Sequence, residues 1–255
     1  ELRLESAAGD AELGVGGEAR AKRKARAQDL VDEAVLRAHV VATRKLGCGR
    51  GPACESDEVD ASARAREILL PRVVRAVQAA RRAFDAYAAT SREERIALLE
   101  RVAARFEARK PDLCEAVVAE LGCPTWLAEQ AQVPLPGTHI RVAIDTLREY
   151  AFETRRGITL VRKQPIGVCG LITPWNWPVS LVVTKLVPAL AVGCTVVLKP
   201  SEFAPYSAQV LAEILHEAEV PPGVFNMVFG EGPVVGAALS SHPEVDAVSI
   251  TGSTR

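Results

Sequence analysis

Residues 164–202 read QPIGVCGLITPWNWPVSLVVTKLVPALAVGCTVVLKPSE. Residues 167–173 are a short apolar run closed by Pro174, the pattern of a buried strand ended by a turn. Residues 178–192 are almost continuously apolar. Pro178 stands at the first helical position and Gly193 just past the end, the asymmetry that starts and stops a helix. Residues 194–198 are a second apolar, β-branched run between Gly193 and Pro200, hence a second buried strand. Strand, helix and strand make one crossover. Ligands of such sheets bind beyond the carboxyl ends of the strands, where Trp175, Asn176, Lys199, Ser201 and Glu202 fall. Residues 180–198 have the hydropathy of a membrane span, but Lys185, Pro188 and Gly193 interrupt it, and it divides better into helix plus strand.

Downstream, residues 206–220 form an amphipathic helix with Val210, Leu211, Ile214 and Leu215 on its apolar side. Residues 224–229 read as a strand, 233–241 as a short helix and 246–251 as a further strand. Strands alternating with helices predict an α/β fold, a Rossmann-like doubly wound parallel sheet with helices on both faces. Upstream the pattern is helical. Ala76, Ala79, Ala80, Phe84 and Tyr87 recur at helical spacing over residues 72–89. Ser91 with Glu94 is a capping box that opens a helix carrying Ile96, Leu98, Leu99, Val102 and Phe106. Pro111 opens another, which Gly122 ends. Residues 127–150 are helical in part, with Pro134, Pro136 and Gly137 read as interruptions. GITLVRK at 157–163 is a strand with polar edges, which pattern alone allows at the edge of the same sheet.

A hydrophobic content of 48% with 25% charged residues fits a soluble fold with a sizeable core. The net charge of −1 gives no reason to expect a nucleic-acid or anionic-membrane partner. The six cysteines (48, 54, 114, 123, 169 and 194) lie in apolar or helical contexts, which points to reduced thiols in a cytoplasm. Cys48 and Cys54 flank a Gly-Pro loop, where a bridge or a metal site is the alternative; with no second pair, no metal is expected. Burial at Cys169 and Cys194 is expected to raise the thiol pKa and leave both inert. Residues 1–70 are an atypical segment, read as disordered or partly helical, with a helix around 28–43. Its basic run (Arg20, Lys22, Arg23, Lys24, Arg26) is either a targeting or nucleic-acid patch or a solvated, acid-balanced face. The chain opens on Glu1 and its only methionine is Met227, so a fragment is expected.

Thr173-Pro174-Trp175-Asn176-Trp177-Pro178, then Leu198-Lys199-Pro200-Ser201-Glu202, then Gly232-Pro233-Val234-Val235-Gly236 and Thr251-Gly252-Ser253-Thr254 resemble the aldehyde dehydrogenase family in order and spacing. The resemblance runs from about residue 73 to 255. It implies an NAD-binding domain over 71–255: a helical layer at 71–152, an oligomerisation-arm strand at 155–165 and a Rossmann-like core at 166–255. The family's catalytic domain would lie beyond it. Ile172, Thr173, Pro174 and Trp175 would then line the cofactor, and Lys199, Ser201 and Glu202 would hold its adenosine end. A carboxylate accepts from a ribose 2′-hydroxyl and repels a 2′-phosphate, so Glu202 favours NAD over NADP. Read without the family, Lys199 and Glu202 are an exposed ion pair, worth about 0–1 kcal/mol.

Gly232 and Gly236 would let backbone approach a phosphate at a helix start, though the spacing is one residue longer than GxGxxG. Ser253 resembles the family's pyrophosphate-contacting serine, and Ile250 stands where the family often has Phe. Asn176 carries the catalytic expectation. A carboxamide N–H aimed at a developing oxyanion contributes roughly 3–4 kcal/mol, and in the family this Asn serves the thiohemiacetal. From its neighbours alone it is equally a turn residue. The family's nucleophilic cysteine and glutamate base have no counterpart here, so this chain alone is expected to be inactive. The resemblance therefore implies NAD-dependent oxidation of an aldehyde by a full-length homo-oligomer. A truncated nucleotide-binding or subunit-pairing module without catalysis is the alternative.

Overall fold

The computed structural model describes residues 52–253, with side chains from residue 66 onward. The basic run, the helix read at 28–43, Cys48, the Cys54 side chain and Thr254 fall outside what is described.

Helix α1 (Pro52–Ala88) runs through Pro71 without a break, starting twenty residues before the apolar periodicity does. Its inward stripe is Val73, Val77 and Ala80, with Tyr87 further on; Phe84 is only half-buried. Helix α2 (Arg92–Ala108) opens with the expected capping box: Ser91 N–H donates to Glu94 Oε2 over 2.6 Å, and Glu94 N–H to Ser91 Oγ over 3.1 Å. Leu98, Leu99, Val102 and Phe106 face the core. Its arginines do a second task. Arg92 donates to Tyr150 O, Arg95 to Ala191 O and Arg101 to Ala218 O, each a carbonyl at the end of another helix. Cations are favoured at those negative dipole ends.

Helix α3 (Lys110–Leu121) ends at Gly122, whose φ of 63° lies in the left-handed region that glycine adopts freely. A helical turn at Thr125–Leu127 leads into a π-helical turn, Ala128–Gln132, and then helix α4 (Pro134–Glu149). Pro134 and Pro136 therefore start this helix rather than interrupting it. The first turn is where a missing N–H costs nothing, because those donors have no intrahelical acceptor.

Strands β1 (Glu153–Arg156) and β2 (Thr159–Arg162) form their own antiparallel two-stranded sheet, turning at Gly157 (φ 61°). The segment 157–163 is thus half of a separate hairpin, not an edge strand of the main sheet. Ile158 at its tip is fully exposed.

The main sheet contains β3 (Val168–Ile172), β4 (Thr195–Lys199), β5 (Phe225–Met227) and β6 (Ala247–Ile250), all parallel in the order β5-β4-β3-β6. Every residue of β4 is buried, as expected of a central parallel strand covered on both faces. Helices α5 (Pro178–Ala191) and α6 (Pro205–Glu217) follow β3 and β4. Their apolar sides join Leu171, Val196 and Leu198 and the outer helices in one large core. On the other face α1 packs over Val168, Ile172 and Val197, together with Val235 and Leu239. The short helix read at 233–241 is a π-helical turn, Gly232–Gly236, continued by α7 (Ala237–Ser240). Full burial of a Val or Leu is worth about 1.5–3 kcal/mol, so six such α5 side chains (Val179, Val182, Val183, Leu186, Val187 and Leu190) make that helix the main anchor of the fold.

Candidate functional site

The chain runs from β3 to β4 to β5 in one direction and then crosses back over β3 to place β6 on its far side. This reversal is the topological switch point, and the crevice lies outside the carboxyl ends of β3 and β6. The four loops leaving those ends are stitched together. Thr173 N–H donates to Lys199 O over 3.2 Å, Thr251 N–H to Ile172 O over 3.0 Å and Val228 N–H to Leu198 O over 2.9 Å. Lys185, on α5, donates to Thr251 Oγ1 over 2.6 Å and so ties that helix to the end of β6.

Within this setting Ile172 and Thr173 are buried, and the Thr173 hydroxyl has no partner. Pro174 is half-buried, while Trp175 and Asn176 stand exposed on the turn. The Asn176 carbonyl accepts from Gln132 Nε2 over 3.1 Å. At the end of β4, Lys199 Nζ donates to Glu202 Oε2 over 2.8 Å. The pair is not the exposed one that spacing alone allowed: the Lys199 side chain is 4% exposed and that of Glu202 25%. Ser201 Oγ accepts from Phe203 N–H over 3.2 Å and so holds the turn that presents Glu202.

Besides the start of α5 at Pro178, two helical starts follow the carboxyl ends of β4 and β5, and they differ. The start of α6 is already filled. Glu120, reaching over from α3, accepts from the N–H groups of Tyr206 (2.9 Å) and Ser207 (3.2 Å) and from the Ser207 hydroxyl. Burial pushes the Glu120 carboxyl above its ordinary value, partly offset by the donors from Ser207 and Tyr206. The Gly232 turn has no side-chain cap, and a Cβ on Gly232 would meet nothing within 4 Å. Gly236 lies 3.7 Å, measured from a built Cβ, from Ile172 Cδ1, against the end of β3. The glycine this turn requires for its backbone is Gly230, with φ of 146° and Val235 where a side chain would go. Ser253 is exposed two residues beyond Thr251. Among the described residues no group of three or more His, Cys, Asp or Glu side chains is placed to hold a metal ion.

The aldehyde dehydrogenase family profile matches residues 57–255. The chain belongs to the aldehyde dehydrogenase family. It is 54% identical over 181 residues to a 3-succinoylsemialdehyde-pyridine dehydrogenase of Pseudomonas sp, covering 71% of this chain and 38% of that protein. Its fold matches an aldehyde dehydrogenase C variant of Pseudomonas syringae, solved with NAD+ and octanal, at 47% identity and TM-score 0.70, covering 71% of this chain and 37% of the other. It also matches an E. coli NADP-dependent enzyme at 35% identity and TM-score 0.66, covering 71% and 38%. The chain thus spans well under half the length of the relatives it matches.

In this aldehyde dehydrogenase portion, Ile172, Thr173, Pro174, Trp175, Asn176, Lys199, Ser201 and Glu202 sit at neighbouring strand ends, with Gly236 against Ile172. Gln132, Lys185 and Glu120 join them unannounced by the motifs. The thiols lie elsewhere. Cys169 is the second residue of β3 and Cys194 immediately precedes β4, at the amino end of the sheet. They depart from the expectation that burial alone raises both. The Cys169 thiol is pushed up, first by its neighbour Cys194 and then by burial. Cys194 is lowered, chiefly by Cys169, against the opposing effect of burial. Among the described residues no helix is long and apolar enough to cross a membrane.

Proposed function

We propose that this chain is the cofactor-binding part of an NAD-dependent dehydrogenase that oxidises an aldehyde to a carboxylic acid. The observation that carries the reading is the convergence of four loops on one switch-point crevice, beside a glycine turn with open space above it. The dinucleotide fits these residues. Open approach at Gly232, where no side chain caps the turn, suits a pyrophosphate, and Ser253 would contact it as well. The Glu202 carboxylate suits a free ribose 2′-hydroxyl, which is why NAD is preferred over NADP. Thr173, with its unpartnered hydroxyl, and Trp175, on the loop after β3, would line the rest of the cofactor. When bound, the nicotinamide supplies the acceptor for a hydride. Asn176, exposed on its turn, donates its carboxamide to the aldehyde oxygen as charge develops there.

Cys169 and Cys194 lie at the amino end of the sheet, and no cysteine stands in the family's nucleophile setting, so the chain as it stands should not turn over aldehydes. Calorimetric titration of the folded chain tests the cradle. NAD should bind more tightly than NADP, and a folded sample that binds neither removes the reading. Localisation in a reducing cytoplasm fits the free state of Cys114, Cys123, Cys169 and Cys194.

A second reading rests on the β1–β2 hairpin, a subunit-pairing arm with Ile158 fully exposed at its tip and Leu160 half-exposed. Exposed apolar positions on a projecting hairpin favour a homo-oligomer. Replacing Ile158 by Asp should lower the mass seen in sedimentation; an unchanged mass discards the arm.

A further inference from the structure

Gln132 is buried, at 5% exposure, yet only half of its carboxamide is used. Nε2 donates to the Asn176 carbonyl, and Oε1 is buried without a partner. An amide oxygen cannot donate to a carbonyl, so the bond itself assigns which atom points at the turn. Leaving Oε1 unpaired is costly, and methionine of similar size would avoid that cost. Packing alone does not account for a glutamine here. A donor does.

The local backbone supports the same conclusion. Gln132 closes the π-helical turn Ala128–Gln132, in which Val133 N–H reaches back to Ala128 O over 3.1 Å. Such a turn shifts side chains out of α-helical phase and is found often at functional sites. It lies in the helical layer, 44 residues before the peptide it holds. That peptide carries the one side chain assigned to the aldehyde oxygen. At the other end of the same turn the Thr173 hydroxyl is also buried and unpartnered.

We propose that Gln132 is a positioning residue: its Nε2 fixes the Asn176 peptide and thereby the direction of the Asn176 carboxamide. This rests on the role given to Asn176 above, but it is read in the free protein.

Nuclear magnetic resonance of the wild-type chain comes first. The Gln132 Nε2 protons should exchange with solvent much more slowly than those of exposed glutamines; equal rates would overturn the proposal even if no variant folds. Q132M should then remain folded, while amide exchange at Trp175, Asn176 and Trp177 rises about tenfold and the Asn176 carboxamide resonance moves. Wild-type rates at those three amides in folded Q132M would also overturn it. Q132E should match Q132M while its carboxylate is ionised and return toward wild type in acid, where the protonated carboxyl donates again. A residue that only fills space would show no such return relative to Q132M. Failure of the chain to bind NAD would sink the proposed function and leave these exchange results standing.

Discussion

Each end of the parallel sheet carries one ion pair, and the two are built differently. At the amino end Arg81 pairs with Asp246, donates to Glu244 O over 2.7 Å, and the same carboxylate accepts from Val168 N–H over 2.7 Å. At the carboxyl end Lys199 and Glu202 share one bond, although Lys199 is the more deeply buried cation of the two pairs. An ammonium has three donors and a carboxylate about four acceptor sites, so this second pair keeps unused capacity around a cation shielded from water, whereas the first pair is about one-third exposed. Burying a charge is costly unless its hydrogen bonds are completed. The amino end is a finished joint. The carboxyl end is polar, buried and incompletely bonded, as the proposed binding edge requires.

The sharpest way to break that comparison is to fill one glycine at each end. Gly167 has φ of 133° and sits against the Asp246 carboxylate, where a Cβ would overlap it. Gly167→Ala should therefore destabilise the chain by about 2–4 kcal/mol, read as a lower denaturant midpoint, with NAD affinity per folded molecule unchanged. Gly232→Ala should do the reverse, leaving the midpoint within about 0.5 kcal/mol and weakening NAD binding at least several-fold. If Gly232→Ala binds NAD as well as wild type, the turn does not carry the phosphates and the two ends differ only in packing.

How much of this was legible in the sequence depends on distance along the chain. The crossover at 164–202 could be read because its strands are buried on both faces and Pro178 and Gly193 punctuate the helix between them. The capping box could be read because Ser91 and Glu94 are three residues apart. Gln132 and Glu120 could not, since their partners lie 44 and 86 residues away and no local pattern marks either one. Pro134 and Pro136 misled because a proline in a first helical turn looks, in sequence, like one that breaks a helix. The β1 strand Glu153–Arg156 has only polar side chains, all exposed, so no alternation announced it. Cys194 misled for a chemical reason: burial was legible, but the effect of the Cys169 thiol, 25 residues away in sequence, was not. The four family motifs located the site without indicating which helix start was open, and that depended on Glu120.

Glu202→Gln sharpens the comparison at the functional pair alone. The carboxamide still accepts from Lys199, but the buried ammonium loses its counter-charge, so a destabilisation of up to about 3–5 kcal/mol is expected and affinities are compared per folded molecule. What should change is the ratio of NAD to NADP affinity, which should narrow about tenfold as the repulsion of a 2′-phosphate is removed. An unchanged ratio, measured by paired titrations, takes Glu202 out of cofactor choice and leaves the pair as a structural one.

The smallest expected effect concerns the filled helix start. Burial raises the Glu120 carboxyl above its ordinary value despite the donors from Ser207 and Tyr206. The folded state therefore holds this proton more tightly than the unfolded chain does. Stability from this group is fully present below the unfolded pKa and is lost as pH rises through the raised folded value. Glu94 and Glu107 work in the opposite sense. The Ser91 donors lower Glu94, and Lys110 with Arg141 lowers Glu107, so their contributions fade as pH falls. Glu120→Gln keeps an acceptor at the start of α6 and removes the titration. Going from about pH 5 to about pH 7, wild type should lose stability relative to Glu120→Gln, and urea denaturation at both values reads the difference. Parallel curves would mean that Tyr206, Ser207 and the positive end of α6 fully compensate the buried charge. In that case the filled start would be as good an anion site as the open one, and Glu120 would be occupying a place that a phosphate could also have taken.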